Sequence, residues 1–215
     1  MPDQSLKPGI RAALRLHEIG DASPYQLSFA GKGKSGASFG FMQGDMAAQQ
    51  PEVLKAFRDA LAAAGSPSAT IEKLVGRLSV HVVDNPLTPA ETKAVNDALL
   101  AGRQLVDAMD ESILGKVYDD LDTCIAKASG AGRSIAPKAA LYIALWINMT
   151  GRPTKLLVWL ADGNPQLRVP VPPPGTVVDG PAIETYLRAT DYFTENPGNF
   201  PHMMQSVAAG VHALG

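Results

Sequence analysis

The 215-residue sequence predicts a mainly α domain, of the α+β kind, carrying one small β-hairpin. Three observations predict it. Apolar residues recur at helical spacing through most of the chain, as in Val53, Leu54, Phe57 and Leu61, or Leu141, Leu145 and Trp146. Helix start signals precede several of these runs. The clearest is Thr88-Pro89-Ala90-Glu91, where Thr caps, Pro takes the first helical position and Glu closes a capping box. Between about Tyr25 and Gln43 the pattern changes, and there Gly and Ser gather as they do around turns.

The elements follow in order. A first helix spans about residues 6–19, with Ile10, Ala13, Leu14 and His17 on one face, and Gly20 stops it. Asp21 to Pro24 turn the chain. Tyr25 to Phe29 alternate like a short strand, and Ala30 to Ala37 form a flexible tip. Phe39 to Gln43 then lead into a second helix, read over 45–50 and 51–64. A third helix covers about 68–80. From Thr88 the apolar pattern Val95, Leu99, Leu105, Val106, Met109 runs on to about residue 128, with a bend near Asp110. Ala136 to Met149 is the most apolar helix and is expected to cross the centre; a short helix follows at 155–160. Residues 163–181, with Pro172-Pro173-Pro174-Gly175, read as a stiff extended crossing. Helices over 181–192 and 201–214 close the chain. The organisation expected is one domain over 1–215, with helical additions at 88–128 and 181–214.

Composition narrows the function. Hydrophobic residues make up 46% of the chain, enough for a sizeable core. No apolar run reaches the ~18 residues of a membrane span. The net charge of −2 carries no basic excess, so a nucleic-acid partner is not expected, and an anionic wall or membrane would be held by local groups only. The single cysteine, Cys124, excludes an intramolecular disulfide framework and reads as a buried apolar residue. His17, His81, His202 and His212 have no metal-ligand spacing, and the acids Asp119, Asp120 and Asp122 lack a histidine, so no metal and no organic cofactor is expected. The run Gly31-Lys32-Gly33-Lys34-Ser35-Gly36 imitates a phosphate loop, but Ser28 stands where that loop needs its first Gly.

The stretch from His17 to Asp45 carries the chemistry. Glu18 ends a largely apolar helix, and a Gly-rich hairpin faces it; burial against apolar neighbours lets such a carboxyl keep its proton near neutral pH. Glu18 followed by Ala37-Ser38-Phe39-Gly40-Phe41-Met42-Gln43 resembles the catalytic region of the lysozyme superfamily, which includes lytic transglycosylases and phage endolysins and, more distantly, chitosanases. There a catalytic Glu ends a helix and a Gly-Ala-aromatic-Gly-Leu-Met-Gln-like run follows; this chain has Ala for the first Gly and Phe for Leu. A second passage, LWINMTGRPTKLLVWL, resembles the helix-Asn-x-x-Gly-helix floor of phage-type lysozymes. Asn148 and Gly151 match it, while Ile147 replaces the tyrosine that transglycosylases place before the Asn.

The resemblance implies a lysozyme-like fold with a hairpin walling a cleft, and cleavage of peptidoglycan between N-acetylmuramic acid and N-acetylglucosamine. Glycoside cleavage needs a proton on the leaving oxygen and a partner for the cation that forms. Glu18 is the expected acid. Asp45 is the candidate second carboxylate, or else a helix cap. Tyr25, Ser38, Gln43 and Asn148 are candidate glycan contacts, with structural roles open to each. The Asp-then-Thr spacing of phage lysozymes is absent, which leaves room for a single-acid mechanism in which the sugar closes an anhydro ring on itself. Two other readings stay open: a chitosanase- or chitinase-like hydrolase, and a non-catalytic glycan-binding piece of a phage or secretion particle. MPDQSLKPGIR has no signal-peptide core, so delivery to the wall or periplasm by a holin or a specialised secretion system is expected. The chain would act as a monomer, with a delivery or immunity protein as a further possible partner.

Overall fold

The computed structural model describes residues 4–30, 34–82, 84–162 and 169–215. The protein is mainly helical, with ten α-helices and two small sheets among the described residues. No helix among them is long and apolar enough to cross a membrane. The chain divides into two compact units. One is contiguous, Glu18–Leu114; the other joins the segment ending at His17 to everything from Gly115 onward.

In the contiguous unit, β1 (Ser28–Phe29), β2 (Ala37–Phe39) and β3 (Gly44–Asp45) form an antiparallel sheet in that order. After a 3-10 turn at Met46–Ala48 come α2 (Pro51–Ala63), α3 (Ser68–Leu78), α4 (Pro89–Ala101) and the first turns of α5 (Arg103–Gly130). Val53, Phe57, Leu61, Leu74, Leu78, Val95, Leu99 and Val106 bury their side chains in one core with Phe39 of the sheet. The Phe39 and Phe57 rings meet at 6.0 Å. The capping box that opens α4 forms as its sequence dictates, the Thr88 hydroxyl accepting from Glu91 N and the Glu91 carboxylate from Thr88 N.

Three local expectations are corrected. Strand character is confined to Ser28–Phe29 rather than Tyr25–Phe29, because Leu27 N–H is bound by the Asn96 side chain at 2.9 Å instead of by a strand. Phe39–Gln43 does not run into a helix; it turns into a third strand, so the ribbon is a three-stranded sheet rather than a hairpin. The helix from Thr88 breaks at Gly102, not near Asp110. A Cβ at Gly102 would lie 2.9 Å from Ala60 Cβ, so only glycine lets this corner press onto α2, and α5 then passes through Asp110 unbroken. The tip of the first loop lies partly outside the described residues, as does the start of the proline-rich stretch.

The other unit is built on α6 (Pro137–Thr150). Its residues Ala139 to Ile147 are buried without a gap, which is why this helix shows almost no polar face. α8 (Gly180–Arg188) and α10 (Phe200–His212) pack against it, accompanied by α1 (Lys7–Glu18, to His17), α7 (Thr154–Asp162) and α9 (Asp191–Glu195). Glycines allow α1 and α10 to touch: a Cβ at Gly9 would stand 2.8 Å from Gly210 O, and one at Gly210 would stand 2.7 Å from Gly9 O. β4 (Ser134–Ile135) and β5 (Val177–Val178) pair in parallel, an element that two-residue strands leave no pattern to announce. The buried Arg133 guanidinium donates to Pro172 O and to the carbonyls of Leu160 and Ala161 at 3.0 and 2.9 Å, tying the proline-rich stretch to the end of α7. Cys124 is fully buried, and burial, with Asp120 nearby, pushes its thiol up to about 12, so it stays protonated and unreactive.

His17 sits against α10. Its ring stacks on His202 at 4.7 Å, its carbonyl faces His202 Nε2 at 3.0 Å and its Nδ1 faces Ser206 Oγ at 3.4 Å. Burial first, and the His202 charge second, lower its pKa from 6.5 to about 4. A depressed histidine pKa means that the unfolded chain binds the proton more readily than the native one. Stability from this site is therefore complete above pH 6.5 and is lost as pH drops through 4. NMR titration should place the His17 ring near pH 4, and denaturant unfolding should show a smaller loss between pH 7 and 4 for His17→Asn than for wild type.

Candidate functional site

Glu18 is the last residue of α1 and is half-buried. Gly20, at φ +55°, reverses the chain directly after it, and Ala22 N–H closes the turn on Ile19 O at 2.9 Å. The strand register then sorts the sheet into two faces. Phe29 pairs with Ala37 and Phe39 with Gly44, which makes the apolar face. Ser28, Ser38 and Asp45 lie directly opposite one another across the three strands, which makes a polar row on the other face. Four of the residues with which the sequence is concerned, Glu18, Tyr25, Ser38 and Gln43, therefore belong with Asp45 to one unit, whereas Asn148, in the last turn of α6, belongs to the other.

The turn between β2 and β3 is the most constrained part of the sheet. Gly40 adopts φ +81° and Gln43, not a glycine, adopts φ +50°. Asp110, fully buried on α5, accepts from Phe41 N at 2.9 Å and from Met42 N at 3.1 Å. A Cβ at Gly40 would lie 2.4 Å from Asp110 Oδ1, so the close approach as well as the dihedral requires glycine. Gln43 is fastened by its own amide: Nε2 donates to Gly40 O at 3.0 Å, and Oε1 accepts from the Ser28 hydroxyl. That hydroxyl also lies 3.4 Å from Ser38 O.

The predicted residues divide by what holds them. Of the two roles open to Asp45, the structure shows the cap: Oδ1 accepts from Ala47 N at 2.8 Å and from Gly36 N at 3.0 Å, closing the 3-10 turn and the loop before β2 together. Gln43 spends its amide inside the sheet, so it shapes the polar row. Tyr25 donates its hydroxyl to Asp107 at 3.0 Å and packs its ring against the core of this unit. Ser38 is buried in the middle of the row. Among the described residues no group of three or more His, Cys, Asp or Glu side chains could hold a metal ion.

Asp110 was not found from sequence, where it read as a bend. Its signal was available: of the acids Asp107, Asp110 and Glu111 among the apolar residues Val106, Met109, Ile113 and Leu114, Asp110 stands four residues from both Val106 and Leu114, on their helical face. A buried carboxylate in such a series has to find donors.

No family model matches the chain, and no curated protein or solved structure does.

Removing the Asp110 carboxylate leaves two buried N–H groups without acceptors, at about 1–3 kcal/mol each. Asp110→Ala should therefore lower unfolding stability in urea by about 2–5 kcal/mol, while Ser112→Ala, on the exposed side of the same helix, should shift it by less than about 0.5 kcal/mol.

Proposed function

We propose that this chain cleaves the glycan strand of peptidoglycan between N-acetylmuramic acid and N-acetylglucosamine, with Glu18 as the general acid. The observation that supports this reading best is the Gly40–Gln43 turn. A non-glycine residue in the left-handed region costs about 1–3 kcal/mol and persists only where its surroundings impose it. Here it is imposed by a buried carboxylate and two side-chain hydrogen bonds, within the very residues that resemble the superfamily's hairpin. A fixed turn and the aligned row of Ser28, Ser38 and Asp45 give this stretch the rigidity a sugar-binding wall needs.

In this mechanism Glu18 protonates the glycosidic oxygen as the bond to the sugar carbon breaks. The cation left behind is met by the substrate itself, through its acetamido group or through the hydroxyl that closes an anhydro ring and gives its proton to the Glu18 carboxylate, since Asp45 is engaged as a cap. The polar row orients the N-acetyl group beside that centre. No metal or organic cofactor takes part. The site of action would be the cell wall, reached through a holin or a specialised secretion system.

Wall preparations decide the matter by turbidity. Wild type should clear them, and Glu18→Gln should do so about 10²–10⁴-fold more slowly, the span general acid catalysis covers. Clearing by the variant at the wild-type rate, or no clearing by wild type, overturns the assignment. Mass spectrometry of the fragments should show anhydro ends, and reducing ends would point to water as the acceptor.

A further inference from the structure

A cavity of about 290 Å³ opens in the unit built on α6, where the end of α6 meets the start of α7, the end of α8 and the start of α9. It lies at the lower end of the range for small-ligand sites. Its floor is apolar: Leu156 and Tyr186 are buried outright, Trp146 is 9% exposed, and Tyr192 meets the Trp146 ring edge-on at 6.0 Å. Of the three threonines on the wall, Thr150, Thr154 and Thr190, two turn their hydroxyls away, Thr150 donating to Trp146 O at 2.7 Å and Thr190 to Leu187 O at 2.6 Å. Over the aromatic part of the wall an occupant therefore meets carbon.

The rim is different. Gly151, at φ +72°, turns the chain so that Arg152 and Lys155 both edge the opening. Each is exposed and only loosely paired, Arg152 with Asp120 at 4.0 Å and Lys155 with Asp191 at 3.4 Å. Such exposed pairs are worth little and yield readily to a better partner. Asp191 is the one carboxylate among the lining residues, and with Asp120, which faces Arg152, it offsets the two cations, so an anion binds here by displacing these loose pairs.

We propose that this cavity binds a small monoanion with a flat apolar body, its carboxylate held by Arg152 and Lys155 and its body laid against Trp146. The planar Arg fork suits a carboxylate, and the aromatic floor suits a ring. A carboxylate is favoured over a doubly charged phosphate, because Asp120 and Asp191 stand beside the two cations and would repel a second charge. This site is independent of Glu18 and of the sheet.

The test uses 2-naphthoate, its neutral amide and 2-naphthyl phosphate, titrated calorimetrically into the full chain. Naphthoate should saturate with a Kd of roughly 1 mM or tighter, and the amide should bind about tenfold more weakly, as loss of a charge-assisted contact predicts. Arg152→Glu/Lys155→Glu changes only exposed side chains and should leave the circular dichroism spectrum unchanged while weakening naphthoate at least about tenfold. Absence of saturable binding overturns the proposal, as does equal binding of acid and amide, equal binding by the folded double variant, or tighter binding of the phosphate. Should the double variant not fold, Arg152→Gln takes its place, with the same weakening expected and unchanged affinity overturning the site.

Discussion

The contiguous unit depends on one buried carboxylate. Asp110 has no exposed surface, and it satisfies two consecutive backbone N–H groups of the Gly40–Gln43 turn. An ionised group is costly to bury unless donors surround it, and a turn this tight leaves its own N–H groups without strand partners. Each defect is the remedy for the other. With the turn fixed to α5, Gln43 is held in its strained conformation, Ser28 gains a partner, and β3 is delivered to the register that aligns Ser28, Ser38 and Asp45. The side chains that would meet a glycan are thus positioned by a residue that would never touch it.

The same economy runs through the sheet. Strands of two or three residues cannot stand alone in water. What stabilises them lies outside the ladder: Phe39 set against Phe57, Leu27 N–H bound by Asn96, Tyr25 bound by Asp107, and Asp45 closing two backbone segments with one oxygen. Three helices, α2, α4 and α5, supply the first three of those partners from a distance in sequence, so the small sheet is held by the helical core behind it.

Most of the helical architecture was legible because periodicity and caps agree. Thr88 to Glu91 opens α4 as written, and the nine-residue buried run of α6 could be read from its composition alone. What was not legible are features decided by contacts between remote residues. Gly102 breaks the helix because Ala60 lies against it, and nothing near Gly102 records Ala60. The third strand exists because Asp110 holds the turn before it, sixty-odd residues away in sequence. In the candidate site, Glu18 at a helix end and the Gly-x-Met-Gln run stood out, since local rules fix a helix stop. The duties of Gln43 and Asp45 did not, because a polar side chain in a turn serves backbone or ligand equally well until its partners are in place.

The contact between Gly9 and Gly210 bears on how the molecule is made. A ribosome extends a chain at about 5–20 residues per second, so α1 emerges on the order of ten seconds or more before α10. In that interval Glu18–Leu114 is complete and can close on its own core, while α1 lacks its glycine neighbour. Its apolar stripe of Ile10, Ala13 and Leu14 must wait uncovered. α10 is the helix that relieves it, so α1 meets its partner only after all the chain between them has been made.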